Sequence, residues 1–144
     1  MFKKPLDERL TEWSELRKSL DNLDDPLTKV LEFWNGAPAV NYNHKVDPYN
    51  IKAWPTPWEI IVENRYDDFT LALMIGYTLK LSNRFKSDQI TIKTMVDYPK
   101  TKLYNLVYIN ENKVLNYDKN CVVNCQDIDP NLYLENQIEV IFPR

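Results

Sequence analysis

The spacing of apolar residues changes once along the chain, and that change limits the fold more than anything else in the sequence. Up to about residue 85 they recur at three- and four-residue steps, the helical period. Leu6, Leu10, Trp13, Leu16 and Leu20 make a first amphipathic helix. Asp24 or Asp25 caps a second, with Pro26 at its first position, where a missing N–H costs nothing. Leu27, Val30, Leu31, Phe33 and Trp34 form its apolar face, and Asn35-Gly36 ends it. Thr56-Pro57-Trp58-Glu59 reads as a capping box opening a short helix to Glu63. Asp67 or Asp68 caps a fourth. Its wide apolar surface (Phe69, Ala72, Leu73, Ile75, Gly76, Leu79) marks it as central and buried, with Gly76 admitting a close neighbour.

Beyond residue 85 the period becomes two. Ile90, Ile92, Thr94 and Val96 alternate with polar residues, and 103–109 and 113–117 read as a hairpin turning near Asn110-Glu111-Asn112. Val122-Val123 extends this set. Residues 137–142 form a last strand, with Ile138, Val140 and Phe142 on one face. Helices first and strands later predict an α+β fold: N-terminal helices and a central buried helix packed on a small antiparallel sheet. The 144 residues suit one domain, 1–144, with a helical part at 1–85 and a sheet part at 86–144. Residues 36–55 read as an irregular loop. Its Tyr42, His44, Tyr49 and Trp54 predict that it packs down on the body.

Charge and composition narrow the partners. The net charge is −3 and the cations are scattered, which argues against nucleic acid. No apolar run approaches the ~18 residues of a membrane span, and the N-terminal residues lack the apolar core of a secretion signal. These readings predict a cytoplasmic protein without a membrane partner. Cys121 and Cys125 on an extended strand would lie about 13 Å apart, too far for a disulfide, so reduced thiols are expected. With only two glycines, a phosphate-cradling loop is excluded.

Few residues suggest chemistry. His44 is the only histidine, and a lone histidine in an aromatic loop reads first as a packing residue. With Cys121 and Cys125 it matches no zinc spacing, so neither metal nor cofactor is expected. Asp67-Asp68 reads as a cap and its neighbour rather than as an acid–base pair, because adjacent residues on a helix do not face each other. Trp54 and Trp58, bracketing Pro55 and Pro57, make a rigid aromatic segment. It is either a lid on the core or, with His44, a surface for a protein partner.

The order of short motifs adds a resemblance. Trp54-Pro55-Thr56-Pro57-Trp58-Glu59 precedes Asn64-Arg65-Tyr66-Asp67-Asp68-Phe69 at a helix start, followed by Leu106-Val107-Tyr108-Ile109 and Val114-Leu115-Asn116 on a hairpin. Over roughly residues 50–118 this resembles bacterial and phage transglutaminase-like, papain-like cysteine peptidases. That family has a W-x-x-P-x-E segment, a G-D-C-E-D-[FY] helix start, and H-A-V-L and V-L-D-N strands. Its cysteine is the nucleophile, its histidine the base and its aspartate the orienting group. Ungapped, the resemblance puts the nucleophile slot on Tyr66, or on Asp67 if shifted by one. It puts the histidine slot on Asn105 or Tyr104 and the aspartate slot on Asn116. A two-residue turn at Glu111-Asn112 would pair Val107 with Asn116 and place Asn105, Val107, Val114 and Asn116 on one face, which selects Asn105 over Tyr104. Tyr66, Asn105 and Asn116 cannot perform the family's reaction. The resemblance therefore implies a non-catalytic, protein-binding member. The small, asparagine-rich, glycine-poor chain fits a phage accessory or structural protein. Two other readings stand beside it. One is a hydrolase or transferase drawing on Asp67, Asp68, His44 or Cys121; the other is an α+β interaction module using Trp54 and Trp58.

Overall fold

The computed structural model describes residues 1–143. Four α-helices come first: α1 (Leu6–Ser19), α2 (Pro26–Asn35), α3 (Pro57–Glu63) and α4 (Asp68–Lys80). The local signals act as the sequence predicts. The Asp25 side chain accepts from the Thr28 N–H and Pro26 opens α2. Thr56 and Glu59 close a reciprocal capping box on α3, and Asp67 caps α4. Gly36 ends α2 at φ −83°, not in the left-handed region, and a Cβ there would make an ordinary 3.6 Å contact with the Phe2 ring.

Five strands follow: β1 (Ile90–Asp97), β2 (Lys102–Ile109), β3 (Lys113–Leu115), β4 (Val123–Asn124) and β5 (Tyr133–Glu139). They form one antiparallel sheet in the order β4-β3-β2-β1-β5. The architecture is α+β. One sheet face, carrying Ile90, Ile92, Val107, Ile109, Leu115 and Ile138, joins α4 and the other helices in a single core. The other face carries a smaller cluster built on Leu106, Tyr108 and Val114. The close approach expected at Gly76 is to the sheet side: a Cβ there would come within 3.0 Å of Val140.

A shared hydroxyl joins three helices at the centre. The indole N–H groups of Trp13 (α1) and Trp34 (α2) both donate to the Thr78 hydroxyl of α4, each at 2.9 Å. Thr78 in turn donates to the Met74 carbonyl. Trp13, Trp34 and Thr78 are almost fully buried, where an unpaired N–H is costly. This one oxygen fixes how the first two helices sit on the fourth.

Two strand predictions need correction. The β2–β3 hairpin turns through three residues, not two: Asn110 and Glu111 both take left-handed φ (52° and 55°), and Asn112 donates back to Ile109. Pairing resumes with Ile109↔Lys113 and Val107↔Leu115, one residue from the expected Val107↔Asn116. Val114 consequently joins Leu106 and Tyr108 on the outer face. The last strand also begins earlier, at Tyr133 rather than residue 137. The Val140 N–H to Ile90 bond follows its last residue, Glu139. Ile138 and Val140 are buried as expected, but Phe142 lies off the sheet, 55% exposed under the Lys80 ammonium.

The β1–β2 loop carries backbone strain. Thr101 sits at φ 50°, a region that costs an L-residue about 1–2 kcal/mol and a β-branched one most. Its side chain is exposed and bonds only to its own neighbour's carbonyl, Lys100. Thr101→Gly should therefore stabilise the fold by about 1 kcal/mol after glycine's extra unfolded-state entropy is deducted. Urea titration with an unchanged slope reads this directly; a lower midpoint would contradict it.

Candidate functional site

The N-terminal end of α4 meets the β2–β3 hairpin, and a polar cluster forms where they meet. Asp67 and Asp68 divide the work there. Asp67 is the cap: one carboxylate oxygen accepts from the Thr70 N–H (2.8 Å) and hydroxyl, and the other accepts from the backbone N–H of Asn43 at 2.9 Å. It thus starts α4 and pins the 36–55 loop, as a capping residue should. Asp68, the first helical residue, points to the sheet. It accepts from Asn105 Nδ2 at 2.9 Å and, at a longer 3.4 Å, from Asn116 Nδ2. The Lys119 ammonium lies 3.7 Å from it.

Each partner is held in turn. Asn105 Oδ1 accepts from the Thr94 hydroxyl of β1, opposite it in the ladder. Asn116 Nδ2 also donates to the Asn105 carbonyl at 2.9 Å, and its Oδ1 accepts from Lys119. Asn105 and Asn116 are both about 95% buried, whereas the Asp68 side chain keeps 45% exposure. The result is a braced floor with one half-exposed carboxylate. The helix N-terminus adds partial positive charge beside it.

Asn116 reaches this cluster by a route the hairpin parity does not describe. The strand stops at Leu115, and Asn116 adopts φ 69°, which turns its side chain back toward Asn105. Asparagine tolerates that conformation better than most residues.

The other predicted residues lie elsewhere. Tyr66 does not join Asn105 and Asn116. Its backbone pairs with the 38–40 segment through a bridge to Ala39. Its ring packs against Phe2 and Trp34, centroids 5.8 and 5.5 Å away. Burial pushes its phenol well above the usual tyrosine range, and its hydroxyl finds no hydrogen-bond partner among the described residues. Tyr66 is a core aromatic, and Asp68 is the residue of this helix start that faces the hairpin. His44 is exposed on the loop. Trp54 is half-buried on Phe69 and donates to the Asp47 carbonyl, the lid arrangement; Trp58 is 41% exposed and packs edge-on against Trp13. The two tryptophans thus turn to different neighbours.

Cys121 is a free, exposed thiol donating to the Asp118 carboxylate at 3.2 Å; that bond, then desolvation, raises its pKa. Cys125 is also free. Among the described residues no group of three or more His, Cys, Asp or Glu side chains is placed to hold a metal ion, and no helix is long and apolar enough to cross a membrane.

Chemically, the cluster is an acceptor surrounded by donors. Asn105 and Asn116 cannot take a proton from a nucleophile, and neither a thiol nor an imidazole hydrogen-bonds to Asp68. A nucleophile needs a base within hydrogen-bond reach, and the cluster offers no such pair. The residues that sequence reasoning underweighted are Asp68, Thr94 and Lys119. Asp68 was readable as the residue after a cap; Thr94 and Lys119 depended on the register and on the chain path beyond Asn116. No protein-family model, curated protein or solved structure matches this chain.

Proposed function

We propose that this chain is a non-catalytic, transglutaminase-like domain that acts by binding protein. One observation carries the reading: a helix N-terminus and two hairpin positions converge on Asp68, Asn105 and Asn116. The resemblance assigns nucleophile, base and orienting group to a helix start and two such strands. The helix-start residue that meets the two hairpin positions is Asp68, two residues past the Tyr66 to which the motif match gives the nucleophile slot. All three groups are polar and mutually hydrogen-bonded, so the place is structured without being reactive. An accessory or structural role for a phage fits the same reading.

Restoring the reactive groups tests it. The triple variant Asp68→Cys, Asn105→His, Asn116→Asp would place a thiol at a helix N-terminus beside an imidazole, conditions that lower a thiol pKa to about 3.5–7.5. At pH 6 its new cysteine should alkylate with iodoacetamide at least about tenfold faster than Cys121, since the thiolate is the nucleophile. A new cysteine that reacts no faster than Cys121 in a folded triple variant would remove the transglutaminase-like reading. Hydrolysis of peptide or amide substrates by the unmodified chain would remove the non-catalytic one.

A further inference from the structure

The two edges of the sheet are not alike. β4 is only two residues long and runs at once into a turn, the short kind of edge that resists pairing. β5 is seven residues long, pairs with β1 alone, and is exposed along most of its length. It contains neither lysine nor proline, residues that commonly protect an edge, and its one bulge, at Glu135, leaves residues 136–139 in regular pairing with β1.

The register shows which of its backbone groups are open. Antiparallel pairs alternate between those that exchange hydrogen bonds and those that do not. The Val140 N–H donates to the Ile90 carbonyl at 2.8 Å, which makes that a bonded pair. Thr91↔Glu139 and Lys93↔Gln137 are then non-bonded pairs. The N–H and C=O of Gln137 and Glu139 therefore point away from β1, two donor–acceptor sets at strand spacing.

Two carboxylates flank the open groups, Glu135 and Glu139, one on each side of Gln137. Neither forms an ion pair among the described residues; Glu139 meets only the Gln89 amide. Lys93, opposite Gln137 on β1, is already paired with Glu111. Pairing β5 with a second copy of itself centred on Gln137 would set Glu135 opposite Glu139, and centring on Glu139 would oppose identical carboxylates. Centring on Ile138 sets Gln137 opposite Glu139 and leaves the two Glu139 carboxylates as diagonal neighbours. A segment bearing lysine or arginine opposite these glutamates gains where a second copy gains nothing or loses.

We infer that β5 is a docking strand that accepts an extended, lysine- or arginine-bearing segment of another protein as a sixth strand, by main-chain pairing to Gln137 and Glu139. Main-chain bonds would supply affinity, and the carboxylates would select a basic partner. This deepens the protein-binding reading but uses none of the Asp68 geometry, so either can fail alone.

The test uses the whole chain and a short synthetic peptide of alternating lysine and valine. On addition of the peptide, the Gln137 and Glu139 amides should shift in NMR spectra and exchange with solvent at least about tenfold more slowly, as amides entering a ladder do. Gln137→Pro removes an outward N–H without breaking a bond to β1, so the fold should survive. Binding should then fall at least tenfold, while Gln137→Ala should retain it. The inference is overturned if the peptide leaves both amides unchanged or protects a different segment. Equal binding of a glutamate–valine peptide, or protection arising from self-association alone, overturns it too. The protection map on the unaltered chain decides the matter even if Gln137→Pro does not fold.

Discussion

Thr78→Val should destabilise the domain by about 3–5 kcal/mol, although it replaces one side chain by another of nearly equal shape. The cost is in the partners. Two indole N–H groups, from Trp13 and Trp34, share the Thr78 hydroxyl, and all three residues are almost fully buried. Each orphaned buried donor costs about 1–3 kcal/mol, and valine offers neither an acceptor. Thr78→Ser keeps the oxygen and loses one methyl, so it should cost only about 1 kcal/mol. Equilibrium urea unfolding distinguishes the two. Equal losses would mean that packing, not the shared acceptor, holds these helices together. A domain of this size has about 5–15 kcal/mol in all, so the valine variant would be close to unfolding.

The second large effect is at Asp67. Asp67→Ala should cost about 2–4 kcal/mol, from two sources. Loss of an N-cap is worth about 0.5–2 kcal/mol. Leaving the buried backbone N–H of Asn43 unpaired adds about 1–3 kcal/mol, because that group donates only to the second Asp67 oxygen. The variant should also loosen the 36–55 loop, seen as faster hydrogen exchange at Asn43 and Val46. Asp68→Ala, one residue on, should cost only about 1 kcal/mol: it removes the acceptor of the Asn105 and Asn116 amides, but the Asp68 side chain is half-exposed, so water can take its place. Reversal of that order would contradict the division of labour between the two aspartates.

Much of the helical half was legible because its signals are local. A cap, a proline at the first position and an apolar stripe lie within a few residues of one another, so Asp25-Pro26, Thr56-Pro57-Trp58-Glu59 and Asp67 mark their helices without help from the rest of the chain. The Thr78 junction was not legible, since it depends on how three helices pack. In the sheet, single-residue irregularities hid the register. The Asn110-Glu111 turn uses two left-handed residues without the glycine that usually announces one. β5 carries a bulge opposite Thr94 and Met95, with Glu135 as the extra residue. That bulge breaks the alternation between Leu134 and Ile138 and made the strand look shorter and later than it is.

The candidate site was legible in its members more than in its geometry. Asn105 and Asn116 do converge, but through the φ 69° turn at Asn116 and not through shared strand parity. Tyr66 was misplaced because its surroundings come from distant segments, Phe2 and Ala39. The step from Tyr66 to Asp68 is two residues in sequence. It moves the focus from a buried aromatic cluster to an open carboxylate.

The most direct test of that focus is an NMR comparison of the Asn105 and Asn116 side-chain amides in the unaltered chain and in Asp68→Ala. If Asp68 is the common acceptor, both amide pairs should change position and exchange with solvent faster in the folded variant. Amides that keep their positions and exchange rates would mean that Asp68 does not join the hairpin to the helix and that this end of the domain holds no such site.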